Sequence, residues 1–105
     1  MVRVAKLRLV NLSLDEYLSW RQLDIDASFR LSGGDPVVLS MSVNGHDAEA
    51  RYLRTSVDVV EVASGCWFAA ETLGVTSILE IDPGNYKEVL APADWRPRPR
   101  GAKSR

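Results

Sequence analysis

His46 and Cys66 are the only histidine and the only cysteine in these 105 residues, and they are the side chains best suited to act as a general base and a nucleophile near neutral pH. A hydrolase or transferase of the Cys–His kind would need them in contact, with the imidazole holding the thiolate. Nothing in their spacing brings them together. Cys66 lies between Gly65 and Trp67 in an apolar run, where burial is the ordinary fate of a free cysteine. His46 follows a turn signal and reads as its half-exposed neighbour. A metal site would have to combine His46, Asp47 and Glu49. In a strand, however, His46 and Asp47 point to opposite faces, and zinc prefers three or four nitrogen or sulfur ligands. The sequence therefore implies no metal and no cofactor.

Carboxylates occur in close pairs at Asp15/Glu16, Asp24/Asp26 and Asp47/Glu49. General acid–base work on a sugar needs two carboxylates opposed across a cleft. Asp24/Asp26 and Asp47/Glu49 instead fall on outward positions of expected strands, and Asp15/Glu16 fit the first turn of a helix. Gly33-Gly34 lacks the Lys-Ser/Thr and the strand–loop–helix setting of a phosphate-binding loop. No catalytic set emerges, and the inventory points away from an enzyme.

Binding chemistry is better represented. Residues 96–105 hold five basic side chains and no acid, whereas residues 1–95 hold the other eight basic and all 14 acidic ones. The formal net charge of -1 thus conceals an acidic body with a basic tail. In the tail, Arg96, Arg98, Arg100, Lys103 and Arg105 follow Trp95, and prolines alternate with the first arginines. An Arg-Pro alternation favours an extended chain that displays guanidinium groups, to a protein or to nucleic-acid phosphates. On the body, Asp24, Asp26, Asp47 and Glu49 form the expected acidic face. Trp20, Trp67 and Trp95 add the residue type that, with Arg, dominates binding hot spots.

The elements that must position these residues read mostly as strands. Asn44-Gly45 stands between two alternating runs, and a two-residue type I′ turn there pairs Val43 with His46, Met41 with Ala48, Leu39 with Ala50 and Val37 with Tyr52. The opposite face then carries Ser40, Ser42, Asp47, Glu49 and Arg51 and is expected to be wet. Residues 2–10 read as a strand. Residues 23–31 alternate without a break, which predicts one strand with Asp24 and Asp26 outward, facing Lys6 and Arg8 of the first. Ser13-Leu14-Asp15-Glu16 has capping-box spacing and predicts a short helix over residues 14–22. Further strands are expected near residues 57–63, 66–71, 76–81 and 86–90, with Asp82-Pro83-Gly84-Asn85 as a turn. From Ala91 onward the period is lost.

The predicted fold is a β-rich α+β domain. It is a mostly antiparallel meander of about seven strands, barrel-like or sandwich-like, with at most one short helix near 14–22. Residues 1–91 form the single globular domain and residues 92–105 a flexible basic tail. The beginning of the chain lacks the apolar stretch of a signal peptide, no run approaches a membrane span, and one cysteine forms no internal disulfide, so a cytoplasmic home and no membrane partner are expected.

Three functions fit these features. The first is a non-catalytic protein-binding module, such as a small inhibitor or immunity-type protein, whose acidic body takes a protein partner. The second is nucleic-acid or ribonucleoprotein binding through the tail. The third is a small-ligand-binding β domain or an enzyme using His46 and Cys66.

Overall fold

The structure, a computed structural model, describes residues 2–5, 9–82, 86–91 and 98–99, with backbone only for 2–5, 86 and 98–99. Its strands are β1 (Val2–Ala5), β2 (Leu9–Ser13), β3 (Leu18–Leu23), β4 (Ala27–Gly34), β5 (Val37–Ser42), β6 (Asp47–Leu53), β7 (Val59–Val62), β8 (Trp67–Thr72), β9 (Thr76–Asp82), β10 (Tyr86–Leu90) and β11 (Arg98–Pro99). They form a 7-stranded sheet in the order β1-β10-β3-β8-β5-β6-β11 and a 4-stranded sheet in the order β2-β9-β4-β7. Every pairing is antiparallel except that of β11, which lies parallel to β6.

The antiparallel, sandwich-like reading of the sequence holds, and the chain order is more interleaved than a meander. Nearly every connection carries the chain from one sheet to the other, and only β5 and β6 are a hairpin of long consecutive strands. Inward side chains of both sheets build one core. Phe29 of β4 meets Phe68 of β8 edge-on, with ring centroids 4.8 Å apart at 64°. Leu12, Leu79 and Ile81 join from the smaller sheet, and Val37, Leu39 and Leu53 from the larger. A second, small cluster lies on the outer face of the larger sheet, where Trp20, Ala48 and Ala69 are buried together with Trp67 and Ala91 against them.

Four expectations change. Residues 2–10 are not one strand, since β1 lies in the larger sheet and β2 in the smaller. Residues 14–22 are not helical. The Glu16 amide donates to the Ser13 carbonyl at 3.1 Å and the Ser13 hydroxyl to Glu16 Oε1 at 3.0 Å, so the capping-box residues close a turn between β2 and β3. Leu14 and Tyr17 are exposed, while Leu18 and Trp20, parted by a register shift within β3, are buried in the two different clusters. A helix this short needs packing to persist, and the sheet offers Leu18 and Trp20 the better burial.

Residues 23–31 are not one strand. β3 ends at Leu23 in the larger sheet and β4 begins at Ala27 in the smaller, so residues 24–26 form a crossover. The apolar alternation survives because the chain passes around the core. Leu23, Ala27, Phe29 and Leu31 are all buried and Ile25 packs against them. β1 pairs with β10 rather than with these residues, and Lys6 and Arg8 lie outside the described residues.

The hairpin register differs by one residue. Met41 faces Glu49, Leu39 faces Arg51 and Val37 faces Leu53. Gly45 alone of the turn takes a positive φ, at 80°, and no residue other than glycine does so among the described residues. A type I′ turn would need the same of Asn44. Instead Asn44 Oδ1 accepts the amides of His46 at 2.8 Å and Asp47 at 3.0 Å, and Ser42 Oγ accepts that of Gly45 at 2.9 Å. The side chains thus satisfy a wider loop.

At the opposite end the sheets are tied by Asp35. Its carboxylate accepts the amides of Val75 at 2.7 Å and Thr76 at 3.2 Å, and its own amide donates to Thr76 at 2.8 Å. Gly34 beside it has φ near 79°, and a Cβ there would strike the Thr76 carbonyl, so glycine is required.

Candidate functional site

The register shift decides where the acidic residues point. Asp47, Glu49 and Arg51 of β6 share a face with Met41, Leu39 and Leu53, the side that looks toward the smaller sheet. They stay wet because, of the β6 residues on that face, only Leu53 enters the core. Glu49 Oε2 and Arg51 Nη2 pair at 3.0 Å with both side chains about half exposed, a contact of small energetic weight. The residues expected on one wet face are therefore split: Asp47, Glu49 and Arg51 are exposed, while Ser40 and Ser42 lie on the other face, where Ser42 is buried and Ala48, 1% exposed, joins the cluster of Trp20 and Ala69.

Asp24 and Asp26 sit in the β3–β4 crossover rather than on a strand face. Asp24 Oδ1 accepts the Lys87 amide at 2.8 Å, and Asp26 Oδ1 accepts the Ser64 amide at 2.8 Å. Both carboxylates remain exposed. They hold loops in place and still carry charge at the surface.

All four expected acidic residues lie at one end of the sandwich. A single ladder row runs from Leu90 through Arg21, Phe68 and Met41 to Glu49. Asp24 and Asp47 lie beyond that row on the same side, with the residue 64–66 turn and the Asn44 loop between them. Three strand spacings separate β3 from β6, about 14 Å, so the acids form a band rather than one cluster.

The basic segment meets this band. Arg98 pairs with Asp47 and Pro99 with Ala48, parallel to β6. Trp95, Arg96, Arg100, Lys103 and Arg105 lie outside the described residues.

Cys66 is buried, and its Sγ lies 3.6 Å from the Ser42 carbonyl and 3.5 Å from its neighbour Trp67's. Desolvation pushes its pKa above the usual thiol value, with the Ser42 contact opposing weakly. The thiol lines a small cavity of about 80 Å³ with Met41, Val43, Asn44, Asp47, Ala48 and Glu49. His46 is exposed on the loop and is not among the lining residues. The arrangement holds a protonated, apolar thiol and gives it no imidazole. Among the described residues, no three His, Cys, Asp or Glu side chains are placed to hold a metal ion.

Two features escaped the sequence. One is the ion pair of Arg21 Nη1 with Glu88 Oε2 at 3.0 Å, in which Glu88 is 1% exposed. Arg21 and Glu88 fall in ordinary alternating runs, and no local signal marks either as inward. The other is the β6 edge, for which the Arg-Pro alternation was the available signal: proline belongs on edge strands.

No protein-family model matches the chain, and no curated protein matches it significantly.

Proposed function

We propose that the protein is a non-catalytic protein-binding module that takes a basic protein partner on the acidic end of the sandwich, in the manner of a small inhibitor or immunity-type protein. The observation that supports this most is the contact already made there. An extended Arg-containing segment of the chain lies along β6 beside Asp47. A surface that accepts a basic strand in cis has the charge and the open backbone to accept one in trans. The buried, protonated Cys66 thiol and the exposed His46, which does not line the thiol's cavity, favour binding over chemistry.

Nucleic-acid binding through Arg96, Arg98, Arg100, Lys103 and Arg105 is the alternative, and one experiment separates the two. The full chain is used as bait in nuclease-treated lysate, beside the variant Asp47→Lys/Glu49→Lys. Both side chains are exposed, so the variant keeps the fold. A stoichiometric basic protein, retained by the parent and released by the variant, is the expected result. Retention unchanged in the variant contradicts the acidic surface. Material that disappears with nuclease transfers the function to the tail.

A further inference from the structure

We infer that the outer edge of β6 is a strand-addition site for an extended basic segment of a partner protein, and that the chain's own Arg98–Pro99 occupies part of it in cis. This inference rests on the binding function proposed above and specifies its mode.

Among the described residues the edge is largely open. β6 spans Asp47–Leu53, and on the side away from β5 only Asp47 and Ala48 have a partner among the described residues. Among the described residues, the positions from 49 to 53 whose backbone points away from β5 have no ladder partner, and such amides and carbonyls recruit another strand. No proline interrupts them, and Glu49 and Arg51, half exposed, do not block the edge.

The occupant shows what the edge accepts. Pro99 has no N–H, so in a strand its nitrogen must face away from the ladder. Backbone polar groups alternate in direction along a strand. With Pro99 turned outward, the amide and carbonyl of Arg98 face β6. The same alternation runs through Arg96-Pro97-Arg98-Pro99-Arg100 in the sequence. Such a segment has one edge that can join a sheet and one that lacks donors. It adds to β6 and ends the sheet there, leaving no further edge for another copy.

Charge selects the occupant further. Asp47 stands opposite Arg98, and Glu49 follows two residues on, so a basic segment is favoured at this end of the edge. The described cis strand is two residues long, and a partner segment paired along all of β6 would add contacts beyond those of Arg98–Pro99. Tethering gives the tail an effective concentration in the millimolar range, so it lowers the apparent affinity of a competing segment by a factor set by that occupancy.

Full-length chains carrying Arg98→Pro and Arg98→Ala test this against the parent. The proline variant removes the amide that faces β6, and the alanine variant removes only the charge. The probe is a fluorescein-labelled peptide with the sequence of residues 95–105, followed by anisotropy. Backbone amide exchange across β6 is followed in parallel. The Arg98→Pro chain is expected to bind the peptide about tenfold more tightly than the parent, with Arg98→Ala much closer to the parent. Exchange at β6 is expected to rise in Arg98→Pro and to fall again when peptide is added. Equal affinity in all three chains, or equal effects of the two variants, overturns strand addition. If that happens while Asp47→Lys/Glu49→Lys still abolishes partner retention, the acidic surface stands and only its mode is wrong. Should the proline variant be unstable, the parent chain decides alone: millimolar peptide must protect amides within residues 49–53, and no protection overturns the proposal.

Discussion

At the residue scale, the side chains with the most reactive chemistry are the ones the fold withdraws. Cys66 is buried against two carbonyls with its pKa raised by desolvation, so little thiolate exists near neutrality. Ellman's reagent is expected to react with it slowly in the native chain, at a rate that follows unfolding. Reaction as fast as that of a free thiol contradicts this environment. The inertness of Cys66 was legible, because a cysteine between Gly65 and Trp67 in an apolar run has no thiolate-stabilising neighbour in sequence. The place of Asp24 and Asp26 was not, since each carboxylate is fixed by an amide from a distant loop, Lys87 and Ser64. Asp35 behaves similarly. The Val75 and Thr76 amides hold its pKa below the usual carboxylate range. A depressed folded pKa gives stability that is present above the unfolded pKa and is lost as pH falls through the folded one. Urea denaturation is therefore expected to show a loss of stability below about pH 4 that is smaller in Asp35→Asn, which lacks the titrating charge. An acid limb identical in both chains contradicts a role for Asp35 in it.

At the element scale, periodicity located most of the strands, missed β3 and left the partners open. The alternation over residues 23–31 is real and marks core-facing positions correctly, yet it cannot reveal that the chain changes sheets at Asp24–Asp26, because both halves face the same core. Asn44-Gly45 marks the hairpin and misplaces its register by one residue, because Asn44 serves the loop through its carboxamide instead of a positive φ. That one residue moves Glu49 and Arg51 to the inward side and Ala48 to the outer face, in the cluster of Trp20 and Ala69. The Arg21–Glu88 pair shows a similar limit, since its members are 67 residues apart and meet only through the β3–β10 ladder. Removing Arg21 takes one partner from a carboxylate that is 1% exposed. Arg21→Met is accordingly expected to destabilise the fold, by up to about 3–5 kcal/mol, and the double variant Arg21→Met/Glu88→Leu to be more stable than Arg21→Met. Thermal or urea unfolding reads both, and a double variant no more stable than Arg21→Met contradicts that interpretation.

At the scale of the whole molecule, the division of charge visible in the sequence acquires a geometry. The acidic body turns Asp24, Asp26, Asp47 and Glu49 to one end, and the basic segment returns to that end at Arg98. A net charge of -1 gave no hint that the two halves meet. Their meeting depends on strand order, which non-local pairing sets and local pattern does not encode. Acidic residues also occupy the outer face of the smaller sheet, where Glu61, Glu80 and Asp82 lie near Arg30. That second face supplies the sharpest contrast. The most direct measurement is a residue-resolved amide titration of the isotope-labelled full chain with the basic partner, or with the residue 95–105 peptide as its stand-in. Binding at the hairpin end predicts that shifts and protection concentrate at residues 42–53 and at the Asp24–Asp26 crossover. Changes centred instead on β4, β7 and β9 around Glu61 and Glu80 would contradict it and move the binding surface to the other sheet.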